Sequence, residues 1–199
     1  MSVDIAYVQR SIDAAARLAL RDAQAMASFD LTADGYFRSF AAMIVALPLY
    51  VVLNHGWEKI GMAIGEQGSE ANAVYFGLYA LGYLLSWLAF PIVMIFVLRF
   101  LGLTERYGAL IVAYNWGTII VLLLDVPVIA LFGLGIVTAA QALVLEFVIF
   151  GVGLYYRFFS AMTALQSRAT VAMAVALIDF ITLSFLALGL NALSRLLNA

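Results

Sequence analysis

Three carboxylates stand where a carboxylate is expensive. Asp125, Glu146 and Asp179 each fall inside a long apolar run. A charged acid at mid-bilayer costs ~2.5–3.5 kcal/mol on an insertion scale. Acids so placed rarely face lipid, and few roles suit them. They can hydrogen-bond as neutral acids, relay a proton or cation, or hold a polar group of a ligand or partner. Helical spacing predicts what surrounds each one. Tyr114, Thr118 and Asp125 share a face, with Asn115 adjacent. Ala139, Ala142, Glu146 and Gly153 share another, and Ala172, Ala176, Asp179, Leu183 and Ala187 a third. Small residues on those faces let helices approach closely in lipid. The expectation is an intramembrane polar seam of Asp125, Glu146, Asp179, Tyr114, Asn115 and Thr118 between three helices. With Arg157 placed in a loop, no basic residue lies deep in a span, so the acids would be protonated or hold a cation.

Other chemistry has little to build on. There is no cysteine and a single histidine, His55, one helical turn from Glu58. Two ligands on a loop make a poor metal site, so neither metal nor cofactor is expected. The sequence contains no Gly-x-Ser-x-Gly, no HExxH and no phosphate loop following a strand. Glu146 and Asp179 could in principle form an acid dyad, but nothing in their flanks supports an enzyme. Pro48, Pro91 and Pro127 fall inside apolar runs as candidate helix kinks. Asp125-Val126-Pro127 places an acid beside a carbonyl that a proline would free, as in the broken helices of transporters. Proline is also ordinary in membrane helices.

The elements that must position these residues follow from composition. Of 199 residues, 66% are hydrophobic and 11% charged, against ~45–50% and ~25% in soluble domains. A soluble globular fold and a disordered chain are excluded. The net charge of −2 gives no footprint for nucleic acid. What remains is an all-α polytopic membrane protein. Spans need ~20 apolar residues each, and five are expected, at about 36–53, 74–98, 107–132, 137–156 and 170–190. Five spans place Arg10, Arg17, Arg21, Arg38, Arg99, Arg106, Arg157 and Arg168 on one side, and Lys59 and Arg195 on the other. That asymmetry predicts a cytoplasmic N-terminus and an outer C-terminus.

Residues 1–30 are expected to form a separate amphipathic element. Ile5, Val8, Ile12, Ala15, Ala19, Ala23 and Met26 recur at spacings of three and four, and Asp13 can pair with Arg17. Such a helix either lies on the inner leaflet with Arg10, Arg17 and Arg21 toward lipid phosphates, or packs on the span ends or on a partner. Arg38 and Trp57 are further interface candidates. The connection from His55 to Ala73, with Glu58, Glu66 and Glu70, is expected to be the only long loop.

Phe29-Asp30, Asp34-Gly35-Tyr36-Phe37-Arg38-Ser39-Phe40, Leu47-Pro48-Leu49-Tyr50, Arg106-Tyr107 and Ala113-Tyr114-Asn115-Trp116 resemble segments of uncharacterised bacterial inner-membrane proteins. The layout of a cytoplasmic segment followed by five spans is similar to that of the Yip (Ypt/Rab-interacting) family. The resemblance implies a bacterial inner-membrane location and a role in membrane organisation without catalytic residues, and leaves Arg38, Pro48, Tyr114, Asn115 and Trp116 as positions of unknown role. The expected function is therefore a non-enzymatic accessory or organising protein. Its partners would be membrane lipids and other membrane proteins or copies of itself, with no nucleic acid. The Ala109, Ala113, Gly117 run suits such helix association. The alternative is a small proton- or cation-coupled transporter working through Asp125, Glu146 and Asp179.

Overall fold

The computed structural model describes residues 4–65 and 73–197. Among these residues the chain forms seven α-helices and no strand. They are α1 (Ile5–Ala19), α2 (Ala33–Ser39), α3 (Ala41–Ala63), α4 (Ala73–Phe100), α5 (Tyr107–Gly133), α6 (Ala139–Leu165) and α7 (Ala169–Leu197). Five stretches are long and apolar enough to cross a membrane: α2 with α3, α4, α5 with the turn before it, α6 and α7. At ~1.5 Å per residue, the 28 residues of α4 reach about 42 Å, beyond the ~30 Å hydrocarbon core. The outward faces carry large apolar side chains, among them Phe96, Phe147 and Phe185. A soluble protein would bury such a surface; a bilayer solvates it.

Local chemistry fixes the helix ends. Asp4 caps α1 through Tyr7 N–H at 2.7 Å. Thr138 and Gln141 form a reciprocal capping box at the start of α6. Gly102 and Gly135 take positive φ in the α4–α5 and α5–α6 turns, a conformation that costs glycine nothing.

α5 is the hub. It packs against α6, α3, α4, α1 and α2, while α7 packs against both α6 and α4. Gly117 on α5 explains one close approach. A Cβ there would stand 2.6 Å from Tyr156 Oη of α6, so the small-residue run is used within the chain. Gly56 gives the matching approach of α3, where a Cβ would meet Ile129 of α5 at 2.4 Å. One end of the bundle gathers α1, α2 and the α4–α5 and α6–α7 turns. Tyr36 and Tyr107 hydroxyls lie 3.4 Å apart, and Arg106 donates to Gln166 Oε1 at 2.6 Å. Alternation of successive spans requires this gathering.

Several boundaries differ from expectation. The first span continues to Ala63, so His55, Trp57, Glu58 and Lys59 are helical where a loop is predicted. Glu66, Gly68 and Glu70 lie outside the described residues. α6 continues nine residues past the predicted end at Tyr156, to Leu165. α5 runs unbroken through Pro127, and Pro48 and Pro91 also sit inside continuous helices. Of the two readings of Asp125-Val126-Pro127, a broken helix is not what forms. The neighbouring turns keep the helix intact around the lost donor, as bilayer helices tolerate.

The N-terminal element also differs. It is one helix only to Ala19; Leu20 and Arg21 turn the chain, Arg21 at φ 66°, and Ala23–Ser28 form a 3₁₀ segment. The buried face of α1 is Tyr7, Ser11, Ala14, Ala15 and Leu18. Ile5, Ala19 and Ala23 of the predicted stripe are exposed. α1 docks on α5 and α6 and shares one apolar core with the spans. Tyr7 meets Trp116 edge to face at 5.5 Å. The helix therefore packs against spans of its own chain through this face.

Candidate functional site

The three carboxylates separate into two settings, and an arginine makes the difference. Arg157 belongs to α6, eleven residues after Glu146 and on the same face. Its Nε stands 3.4 Å from Asp179 Oδ2 of α7, with both side chains almost buried. Its terminal nitrogens donate to the Tyr114 carbonyl at 3.0 Å and to Thr118 Oγ1 at 2.9 Å, both on α5. The guanidinium lies 4.0 Å over the Tyr114 ring. Tyr114 Oη donates to Asp179 Oδ1 at 2.9 Å, and Phe90 of α4 stacks on the other side of that ring at 4.0 Å. One planar cation thus ties α5, α6 and α7 together.

This corrects the expectation that the acids lack a counter-ion. Asp179 has one, and it has a tyrosine donor as well. Ending the fourth span at Tyr156 moved Arg157 into a loop, though its register with Glu146 placed it on the seam face. A buried charge is tolerable when paired and hydrogen-bonded, and both conditions hold here.

Asp125 and Glu146 form the second setting. Eleven residues separate Asp125 from Tyr114 and Glu146 from Arg157, about 16 Å along each helix. Their side chains open on one cavity. Glu146 Oε2 is buried and has no hydrogen-bond partner among the described residues. A cavity of about 170 Å³ between α5, α6 and α7 is lined by Asp125, Glu146, Gly153, Arg157 and Asp179. It joins the acid pair to the ion pair.

Asn115 leaves the seam. One residue on from Tyr114, it points about 100° away and donates to Ser39 Oγ of α2 at 2.9 Å. The predicted interface arginines divide too. Arg10 and Arg21 are exposed. Arg17 pairs with Asp22 at 2.6 Å, in place of the expected Asp13. Arg38 does not face lipid. It stacks 4.0 Å over Tyr7 and lies 3.5 Å from Asp30, locking α2 to α1. Asp30 also accepts from Thr32 Oγ1 at 2.6 Å. The Thr32 hydroxyl, ahead of its amide, Arg38 and Arg10, holds this carboxyl below its ordinary 3.8 against the opposing effect of burial. Trp57 is half-buried against the Ile60, Val128, Ala142 cluster of α3, α5 and α6.

A feature that sequence reasoning missed lies between α3 and α4. These consecutive spans barely touch by backbone; tyrosines prop them apart. The Tyr50 ring sits 4.5 Å from Tyr83 and 5.3 Å from Tyr79. Tyr83 Oη donates to the Met43 carbonyl and Tyr79 Oη to the Tyr50 carbonyl at 3.4 Å. The result is a groove of about 750 Å³ open to the outside of the bundle. Its walls are Ile44, Leu47, Val51, Phe76, Ala80 and Leu84. His55, Glu58 and Tyr75 line its one polar end, where Tyr75 Oη lies 3.4 Å from Glu58 Oε2. Among the described residues no third acid or histidine joins His55 and Glu58. The four tyrosines at 75, 79, 83 and 50 were the available signal, since 75, 79 and 83 repeat every four residues.

Comparison with protein-family models, with curated proteins and with solved structures finds no match.

Proposed function

We propose that the chain is a non-enzymatic integral membrane protein that organises its surroundings by holding a membrane lipid in the α3–α4 groove. The groove carries this reading. It is apolar along the bilayer depth and polar only at one end, the pattern that fits an acyl chain below a headgroup. In a bilayer an open apolar groove of this size is filled by hydrocarbon or by another helix. Tyr79 and Tyr83, each bonded to a backbone carbonyl of α3, hold it open and pre-formed. Pre-formation lowers the cost of binding. The resemblance in layout to the Yip family points the same way, as does the excess of arginine that favours a cytoplasmic N-terminus in an inner membrane.

The test is native mass spectrometry after purification in a gentle detergent. The wild-type chain is expected to retain phospholipid. Ala80→Trp, which fills the groove from its exposed wall, is expected to shed it while eluting as a folded species. A lipid-free wild-type chain, or equal retention by both, would reject the proposal.

A further inference from the structure

We infer that the α3–α4 groove selects a phospholipid whose headgroup carries a primary amine, with the ammonium held at Glu58; the inference rests on the lipid reading of the groove. Charge is the first argument. Among the described residues, Glu58 is the one acid that lines the groove, and no lysine or arginine lines it. Glu58 sits with His55 and Tyr75 at the polar end. Lys59, one residue on, points about 100° away. From Ile60 to Leu98 the sequence holds Glu66 and Glu70 and no lysine or arginine. The end of the groove that would meet a headgroup is therefore acidic.

Length is the second argument. The α3 wall runs from Met43 to Glu58, about 22 Å at ~1.5 Å per residue. Half of a bilayer with its headgroups measures ~20–22 Å. The groove thus matches the lipid of one leaflet, with its headgroup at Glu58 and its chain directed toward mid-bilayer along Leu47 and Ile44. A partner helix crossing the whole ~30 Å hydrocarbon core would need a longer face.

The chemistry at the polar end favours one kind of headgroup. Glu58 Oε2 accepts from Tyr75 Oη at 3.4 Å, and a carboxylate takes donors at ~four lone-pair sites. A primary ammonium brings three N–H donors and a positive charge, so it adds a charge-assisted bond. A trimethylammonium brings the charge without an N–H. A headgroup with no cation sets its phosphate beside the Glu58 carboxylate, and like charges so placed repel. His55, one helical turn before Glu58, supplies an imidazole N–H for the phosphate of the bound lipid.

The test is native mass spectrometry of the purified full chain after incubation with an equimolar mixture of three dioleoyl lipids. These are phosphatidylethanolamine, phosphatidylglycerol and phosphatidylcholine, which differ in headgroup alone. The wild-type chain is expected to retain the ethanolamine lipid over each of the others by about fivefold, the scale of one partly exposed ion pair. Glu58→Gln, of nearly the same shape, is expected to retain as much lipid in total with the preference gone. Equal retention of the three lipids by the wild-type chain, or a preference that survives in Glu58→Gln, would overturn the inference and leave the groove with its lipid. A wild-type chain that retains none of the three would overturn the lipid reading of the groove and this inference with it.

Discussion

At the scale of single residues, Arg157 decides what the buried acids mean. Removing it leaves Asp179 charged, buried and reliant on one tyrosine. Breaking a buried pair from one side typically costs ~3–5 kcal/mol, whereas replacing both partners by apolar groups is often neutral. Arg157→Met is thus expected to lower the unfolding temperature in detergent sharply, and Arg157→Met with Asp179→Leu to recover most of it. Equal losses in the single and double variants would show that the pair does not hold α6 to α7. Asp30 supplies a second expectation. Its carboxyl is held below 3.8 in the folded chain. Its contribution is therefore present above the unfolded value and lost as pH falls through the lower folded one. Protection of α1 and α2 against proteolysis should fall away below about pH 4. Asp30→Asn should remove that acid dependence, and its persistence in the variant would assign it elsewhere.

At the scale of elements, legibility in the sequence follows how strongly each pattern is constrained. The apolar runs of α4, α5 and α7 were plain, because a bilayer demands length and lack of charge. The ends were not. Arg157 after Tyr155-Tyr156 looks like an aromatic-belt boundary, and only its register with Glu146 reveals a seam residue. His55 to Lys59 looks like a loop because its polar residues interrupt the apolar run, yet Gly56 and Ile60 bury against α5 and carry the helix on. The face of α1 differs from the predicted stripe in part because two of its docking residues, Tyr7 and Ser11, carry hydroxyls and do not extend an aliphatic pattern. Tyr7 buries its ring on Trp116 and offers its hydroxyl to the Gly35 carbonyl at 3.4 Å. Trp116 is fully buried there, so Trp116→Ala should cost ~3–5 kcal/mol. Hydrogen exchange of α1 amides should rise more than that of α7. A uniform rise would show that α1 is no separate docked element.

At the scale of the whole molecule, five crossings would put the termini on opposite sides of the membrane. A reporter that works only in the cytoplasm should be active on the N-terminus and silent after Ala199; activity at both ends would require an even number of spans. The polar centre and the groove then occupy different faces. α5, α6 and α7 enclose the charges, while α3 and α4 stand open to the bilayer. Among the described residues, the second arrangement leaves a large apolar groove of about 750 Å³ that the protein does not fill. The most direct measurement of its role is photocrosslinking in intact membranes from a photoreactive side chain at Leu47, on the groove wall. A mass shift equal to one phospholipid is the predicted result. A crosslink to another protein, or to a second copy of this chain, would contradict the assignment of the groove to lipid.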